Sequence, residues 1–501
     1  MYSNLFFRKI TLLFFFTISI TALFATGEPS TYFNIYLAPN NDNARRDVCL
    51  IVTALYDSTS FEIIDDGMDG DTDDSVTGML MAGQSYILYI RDNGINDDAK
   101  GASNGILRQD GDYLIVKSNK LVYASQSTNS DWQHDWIPAT NKTGVGQKFI
   151  VYAPKTTSSK RDINVFSYEN NTEVTVKKIS LSTTTNTGYT NVDYFTRDIV
   201  IQKTLNVGED LIYSGSEGRN LMNSGETYLI ETNKPVTVQY GALYGNERDG
   251  GGYVPSLNGS SAGDLFLFAV PYQSRGEQEI RMISLDDNNF IQLERYENAT
   301  WVPVKTWTVN KNEVVDWVGK NEGNVSHATV FKVTCSATKK VIVFEANWLE
   351  TGNPGTSDFV TSCSSLTGNS AGKDFLVYMA PPGNQNNVRN PFTGNFFGQQ
   401  MTHLYLFASD DTCNVTLKDT YTNGSKFNRS YTILPNRYVD CFLTLAEWKS
   451  IYNGTGKVAD GPERPYITIN SDEKISVVNS NSNDNWMMYF GSSLEQNYSL
   501  S

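Results

Sequence analysis

Two Gly-x-Ser-x-Gly strings, Gly259-Ser-Ser261-Ala-Gly263 and Gly368-Asn-Ser370-Ala-Gly372, have the spacing of a hydrolase nucleophile elbow. That chemistry needs a strand before the serine and a helix after it, so that the hydroxyl stands exposed on a sharp turn. Here each string is a Gly/Ser loop ending just before Phe266 or Phe375, and a strand-like run follows instead of a helix. Two strings at the same point of a repeat read as one small-residue linker copied, so no catalytic residue is assigned. The three histidines, His134, His327 and His403, show neither metal-ligand spacing nor a triad pattern. His134, in Trp132-Gln-His-Asp-Trp136, fits a packed loop or a binding edge. The run from Asp65 to Asp74 offers alternate carboxylates that could wrap calcium, or form a solvated acidic loop. It departs from the helix-loop-helix calcium pattern, so no metal and no cofactor is assigned.

The elements that carry these residues are repeated four times. Gly146-Gln-Lys-Phe149-Ile-Val-Tyr152, Gly263-Asp-Leu-Phe266-Leu-Phe-Ala and Gly372-Lys-Asp-Phe375-Leu-Val-Tyr378 align without a gap, and Phe33-Asn-Ile-Tyr36 supplies a fourth copy. The marker phenylalanines are 116, 117 and 109 residues apart, and 126 residues follow the last. A period of about 115 residues suits one small module per copy. Apolar/polar alternation between Asn-, Asp- and Gly-rich turns predicts roughly seven short strands per copy. The predicted fold is all-β, with four internal repeats wired as antiparallel meanders and shaped as β-sandwich-like modules; a closed β-propeller is the alternative. The expected division is 1–27 signal peptide, then repeats 28–145, 146–262, 263–371 and 372–501. Asn119-Lys120, Asn233-Lys234-Pro235, Lys339-Lys340 and Glu473-Lys474 read as turns of a final hairpin, Gly83 and Gly208 as turns of an earlier one. Leu443 to Ile451 is the one stretch with helical character.

Arg8 and Lys9, the apolar run Ile10 to Phe24 and the small residues Ala25-Thr-Gly27 predict a secretion signal, and no membrane insertion. The net charge of −15 becomes −17 without Arg8 and Lys9, which disfavours nucleic acid. In an oxidising compartment Cys335–Cys363 and Cys413–Cys441, each 28 residues apart, are the expected disulfides, with Cys49 left as a buried thiol or an intermolecular link. Ten sequons, at Asn141, Asn170, Asn258, Asn298, Asn324, Asn414, Asn423, Asn428, Asn453 and Asn497, permit glycosylation.

Boundary phrases recur: Ile137-Pro-Ala-Thr before Gly146-Gln-Lys-Phe149, and Val254-Pro-Ser before Gly263-Asp-Leu-Phe266. With Asn171-Thr-Glu-Val-Thr-Val176 and Lys234-Pro235-Val-Thr-Val, they make the chain resemble the N-terminal region of the IgGFc-binding protein family. That resemblance covers essentially everything after the signal and carries no catalytic residue. It implies a secreted, non-enzymatic recognition or adhesion protein whose partner is an extracellular protein or glycan. The chain lacks the cysteine-rich von Willebrand-type modules that follow in the mucus protein, so Fc contacts are not carried over. A structural component of an extracellular matrix or surface layer is the alternative.

Overall fold

The computed structural model describes residues 29–37, 48–65, 75–90, 112–128, 134–141, 144–152, 162–180, 199–209, 227–241, 252–257, 262–270, 277–319, 329–348, 359–363, 365–367, 371–378, 401–419, 424, 426–452, 466–481, 488–490 and 492–493. Their pattern is strand after strand, broken by a single helix, Leu445–Tyr452. The helix starts on a capping box: Glu447 N–H donates to Thr444 Oγ1 (3.2 Å) and Thr444 N–H to Glu447 Oε2 (2.9 Å).

The third repeat shows the unit plainly. One sheet has the order Leu265–Val270, Thr329–Cys335, Asn289–Glu297, Thr300–Val309; the other has Val314–Val318, Glu277–Ser284, Val341–Trp348, Phe359–Ser362. In the other repeats one long strand replaces both central strands. The first half of Asp112–Thr128 pairs antiparallel with Ser30–Leu37 and Thr59–Asp65, its second half with Val48–Ala54 and His134–Trp136. Thr227–Gly241 and Tyr466–Asn481 bridge the two sheets of the second and fourth repeats in the same way. We refer to an opening, second, third, fourth and fifth strand, a long strand and a closing strand. The opening, third and fourth strands share the first sheet with the entering half of the long strand. The second, fifth and closing strands share the other with its leaving half.

The all-β, antiparallel, sandwich-like expectation therefore holds, but the wiring is not a simple meander. Two consecutive pairs form hairpins within one sheet: the third and fourth strands, and the leaving half of the long strand with the closing strand. The second-to-third turn, the fourth-to-fifth turn and the middle of the long strand each arch from one sheet to the other. Asn119-Lys120 and its counterparts are thus corners and not hairpin turns. A hairpin and a corner have the same local composition; what separates them is the strand that each arm pairs with, which is distant in sequence.

The corners are built alike. Asn119 Oδ1 accepts from Ser60 N–H (2.9 Å), Asn233 Oδ1 from Glu173 (2.8 Å), Ser336 Oγ from Phe290 (2.9 Å) and Asp472 Oδ1 from Asn414 (2.7 Å). Three corner lysines tie down the neighbouring turn: Lys120 Nζ donates to Asp57 O, Lys234 Nζ to Asn170 O and Lys339 Nζ to Asp287 O. The fourth-to-fifth turn repeats as well. Gly83, Gly208, Asn312 and Asn436 all take left-handed φ, of 77°, 77°, 65° and 56°. Their N–H groups donate to Ala54, Ser167, Ser284 and Ser409 carbonyls. Glycine and asparagine tolerate that conformation best, so this position is restricted in every copy.

Each module has its own core, and neighbouring modules bury a further one between them. In the first module Phe33, Ile35, Leu50, Val52, Phe61 and Ile63 point inward. Alternate residues of the same strands point outward onto a neighbour. Tyr36 and Tyr113 of the first module pack on Phe166 of the second. Tyr152 of the second packs on Phe344 of the third, while Tyr405, Phe407 and Val478 of the fourth join the third module's core. Tyr123 and Trp136 of the first module join the core of the fourth. In each junction the outer face of one module's first sheet meets the outer face of the next module's second sheet. The fourth junction returns to the first module, so the four sandwiches close into a ring. The two expected architectures are combined: sandwich modules occupy the places of propeller blades.

Ring closure explains the sequence pattern. Opening strands, covered on both faces, are continuously buried over their apolar ends, as in Phe149–Tyr152. Third strands alternate buried and intermediate positions, and fourth strands such as Ser75–Leu80 are exposed at every second residue. Burial thus falls from opening to fourth strand. That gradient sets the opening strand toward the ring axis and the fourth toward its outside, with the strands running along the axis.

The glycine that starts an opening strand is required by packing. At Gly263 a Cβ would fall inside the radius of Ser365 Oγ and 2.7 Å from Ser365 Cβ, and at Gly146 it would lie 2.5 Å from Ser256 Cβ. These serines belong to the strap that closes each module after its last strand. Gly263→Ala is expected to destabilise the protein by about 1–3 kcal/mol, read as a lower urea midpoint with unchanged slope.

Candidate functional site

Most of the residues that suggested chemistry are not among the described residues. Ser261, Ser370, His327, the stretch Asp66–Asp74 and the sequons at Asn258, Asn324, Asn423, Asn453 and Asn497 lie outside the described residues, as do the signal segment and the side chains of His134 and Cys49. Gly263, the last residue of the first Gly-x-Ser-x-Gly string, forms an isolated bridge with Val341 just before the strand Leu265–Val270, with no helix following. Asp65 ends a third strand and is buried.

His403 is fully buried, its Nδ1 3.0 and 3.1 Å from the Asp440 carboxylate and its ring stacked on Tyr405 at 5.8 Å. In this His–Asp pair, from positions 37 apart in sequence, the imidazole is enclosed at the junction of the third and fourth modules while the Asp440 carboxylate is partly exposed. With its ring fully buried against Tyr405, His403 is a packing element.

Cys335, Cys363, Cys413 and Cys441 are free thiols, so neither expected disulfide is present. Cys413 and Cys441 stand on strands of opposite sheets. The Cys413 sulfur contacts Asp411 and Lys474 carbonyls, whereas the Cys441 sulfur contacts Arg429 Nη1. Burial pushes the thiols of Cys335 and Cys413 up to about 11, and raises Cys441 and Cys363, the last also through neighbouring Glu345. At pH 8 the thiolate fraction of such a group is on the order of 10⁻³. These four thiols are expected to react slowly with a disulfide reagent in the native state and rapidly in urea without reductant. Silence in urea would indicate the two bridges instead.

A buried ionic cluster that the sequence did not reveal lies between the second and third modules. Arg281 donates through Nε and Nη2 to both Asp316 oxygens (2.6 and 2.8 Å) and through Nη1 to Thr227 Oγ1 (3.1 Å). Its guanidinium lies 3.9 Å from the Tyr152 ring centre, and Tyr152 OH donates to Glu279 Oε2 (2.7 Å). Burial works against the Arg281 charge, but Asp316, Tyr152 and Glu279 hold it above the ordinary arginine value. The cluster is a clamp, because both its sides are occupied by protein.

The surface that is repeated and open is the end of each module carrying the arches. Ring closure puts these four ends on one face, which we call the arch face. Six of the exposed large apolar side chains stand there: Tyr56, Met79 and Met81 on the first module, Val207 on the second, Phe290 on the third and Leu434 on the fourth. Met81 and Leu434 occupy the same position, two residues before Gly83 and Asn436. Asn170 and Asn414 are on this face, engaged in its hydrogen bonds, whereas Asn298 tips the opposite hairpin with its backbone at φ 46°. Among the described residues no cluster of three or more His, Cys, Asp or Glu side chains suits a metal ion, and no helix is long and apolar enough to cross a membrane.

No protein-family profile and no curated protein matches this chain. Among solved structures it is matched to the tetra-tandem repeat in the extending region of a large adhesion protein, at 12% identity, over 92% of this chain and 98% of that one, with a TM-score of 0.10. At that score the superposition carries no argument.

Proposed function

We propose that this is a secreted recognition or adhesion protein that acts without catalysis, using the ring as a rigid display for an extracellular protein or glycan. The observation that supports this reading is the fourfold arch face. The same corner hydrogen bond and left-handed turn recur in each module, which fixes four loop tips relative to one another and lowers the ordering cost of binding a repetitive ligand. The phrases that resemble the IgGFc-binding family, Ile137-Pro-Ala-Thr140 and Val254-Pro-Ser256, lie in the closing straps, so this resemblance speaks to module construction and supplies no contact residue. Secretion and glycosylation at Asn141, Asn170, Asn298, Asn414 and Asn428, the exposed sequons, belong to the same proposal.

The test is an array of matrix proteins, serum proteins and glycans probed with the full chain, together with a fluorophosphonate probe. Saturable capture by one ligand class and no serine labelling are expected. Labelling that is lost in Ser261→Ala or Ser370→Ala would overturn the non-catalytic reading. Concentration-dependent filaments without ligand capture would favour the matrix alternative.

A further inference from the structure

We propose that the fourth strand of the first module, Ser75–Leu80, pairs edge to edge with the same strand of a second copy of this chain. Each first sheet has two edges. The inner one, the opening strand, is covered by its module's own strap. Asn34 N–H donates to Thr140 Oγ1 (2.6 Å), Leu257 N–H to Lys148 O and Leu366 N–H to Leu265 O, while Ser492–Ser493 pairs with Gly372–Tyr378. The outer one, the fourth strand, pairs with the third strand alone among the described residues. An open edge is a row of backbone donors and acceptors that invites another strand, and proteins block it with charge or proline. Three modules do so. Ile199–Leu205 carries the exposed Lys203, Thr300–Val309 carries Pro303 and Lys305, and Asn428–Ile433 carries Arg429. Ser75–Leu80 has neither charge nor proline, and it is exposed at Ser75, Thr77 and Met79, the last at 70%.

The strand is complementary to itself. Directly opposed residues of antiparallel strands share a face of the sheet. Val76, Gly78 and Leu80 face the first module's core: Leu80 belongs to it, Val76 packs on it, and a Cβ at Gly78 would lie 2.6 Å from the Phe61 ring. A two-fold axis through Gly78 sets Val76 opposite Leu80 of the other copy and Thr77 opposite Met79. Core-side residues then meet core-side residues, and the outward Thr and Met side chains cover each other. A residue on such an axis opposes its own copy, and glycine makes that meeting free of clash and of charge. The charge of the whole chain selects the same strand. Copies of net −15 repel one another, so a neutral edge is where they can touch without opposing like charges. The contact uses the same patch on both copies and occurs on one module in four, so it closes at two copies.

The experiment is sedimentation velocity of the full chain over a concentration series, at low and high salt. A monomer–dimer equilibrium is expected, with no larger species and with a tighter dimer at high salt, where the repulsion is screened. Thr77→Lys and Met79→Lys should each weaken the dimer by roughly tenfold or more, because each installs the guard that the other modules carry. Thr204→Lys, at an exposed position on the second module's guarded edge, should leave it unchanged. All three replaced side chains are exposed, and urea midpoints at the parent value check that the variants fold. A synthetic peptide with the sequence of residues 75–80 should compete and release monomers. A chain that stays monomeric throughout would overturn the proposal, as would a dimer indifferent to both lysines or assembly beyond two copies. Peptide binding by a chain that never dimerises would also overturn it and would assign the edge to an extended ligand. Ligand capture on the array is read separately and does not depend on this edge.

Discussion

Replacing Arg281 with methionine is expected to lower the unfolding free energy by about 3–5 kcal/mol. The guanidinium is 2% exposed and answers both oxygens of Asp316, one oxygen of Glu279 and the Thr227 hydroxyl. Methionine fills much of the volume but leaves two carboxylates enclosed between modules with no counter-charge. The cost is therefore that of stranded charge, well above the loss of one surface ion pair. The same junction elsewhere in the ring needs no arginine: the equivalent second-strand position carries Ile51, Asn164 or Tyr405, all buried. Changing the cluster as a unit, with Glu279→Gln, Arg281→Met and Asp316→Leu together, should recover most of the loss. Urea unfolding of the single and triple variants checks both statements. A single-variant loss below about 1 kcal/mol would mean that water reaches the cluster.

The second large effect is pH-dependent and centres on Glu345. Its side chain is 1% exposed, and Oε2 has no hydrogen-bond partner. Burial alone raises its pKa well above the ordinary 4.5. The folded protein thus keeps this proton at pH values where the unfolded chain has released it. Stability is fully present below about 4.5 and declines as pH rises through the raised folded value, at up to about 1.4 kcal/mol per pH unit. Glu345→Gln should remove that decline, leaving the variant more stable than the parent at pH 8 and similar to it near pH 4.5. The midpoint difference between the two proteins across this range is the measurement. Equal pH profiles would mean that the carboxyl ionises without cost. Carboxylates held low by partners, such as Glu231 beside Lys177 and Lys148, act with the opposite sign and cancel in the comparison.

The sequence by itself determined the all-β class, the fourfold repeat and the positions of most strands, because alternation, turn residues and a recurrent Phe-marked strand are local properties. It also placed the helix within two residues, where an amphipathic stretch follows the Thr444 cap. Pairing was not legible. Asn233-Lys234-Pro235 and Asn119-Lys120 look like hairpin turns, and only the distant partners of each arm make them corners. The equal cysteine spacings suggested bridges, whereas Cys335, Cys363, Cys413 and Cys441 are free thiols, and spacing alone does not say how two strands approach.

Closure into a ring was equally hidden. Continuous apolar runs such as Phe149–Tyr152 signal burial on both faces but do not say what covers them. The outward Tyr36, Tyr152 and Trp136 become core only when a neighbouring module arrives. For the same reason the Arg281 cluster and the His403–Asp440 pair were invisible: their members are 2 to 37 residues apart or on different modules, and burial, not spacing, gives them their meaning. What only the tertiary structure decided is which polar residues are enclosed and which loop ends share a face, since both depend on contacts between segments a hundred or more residues apart.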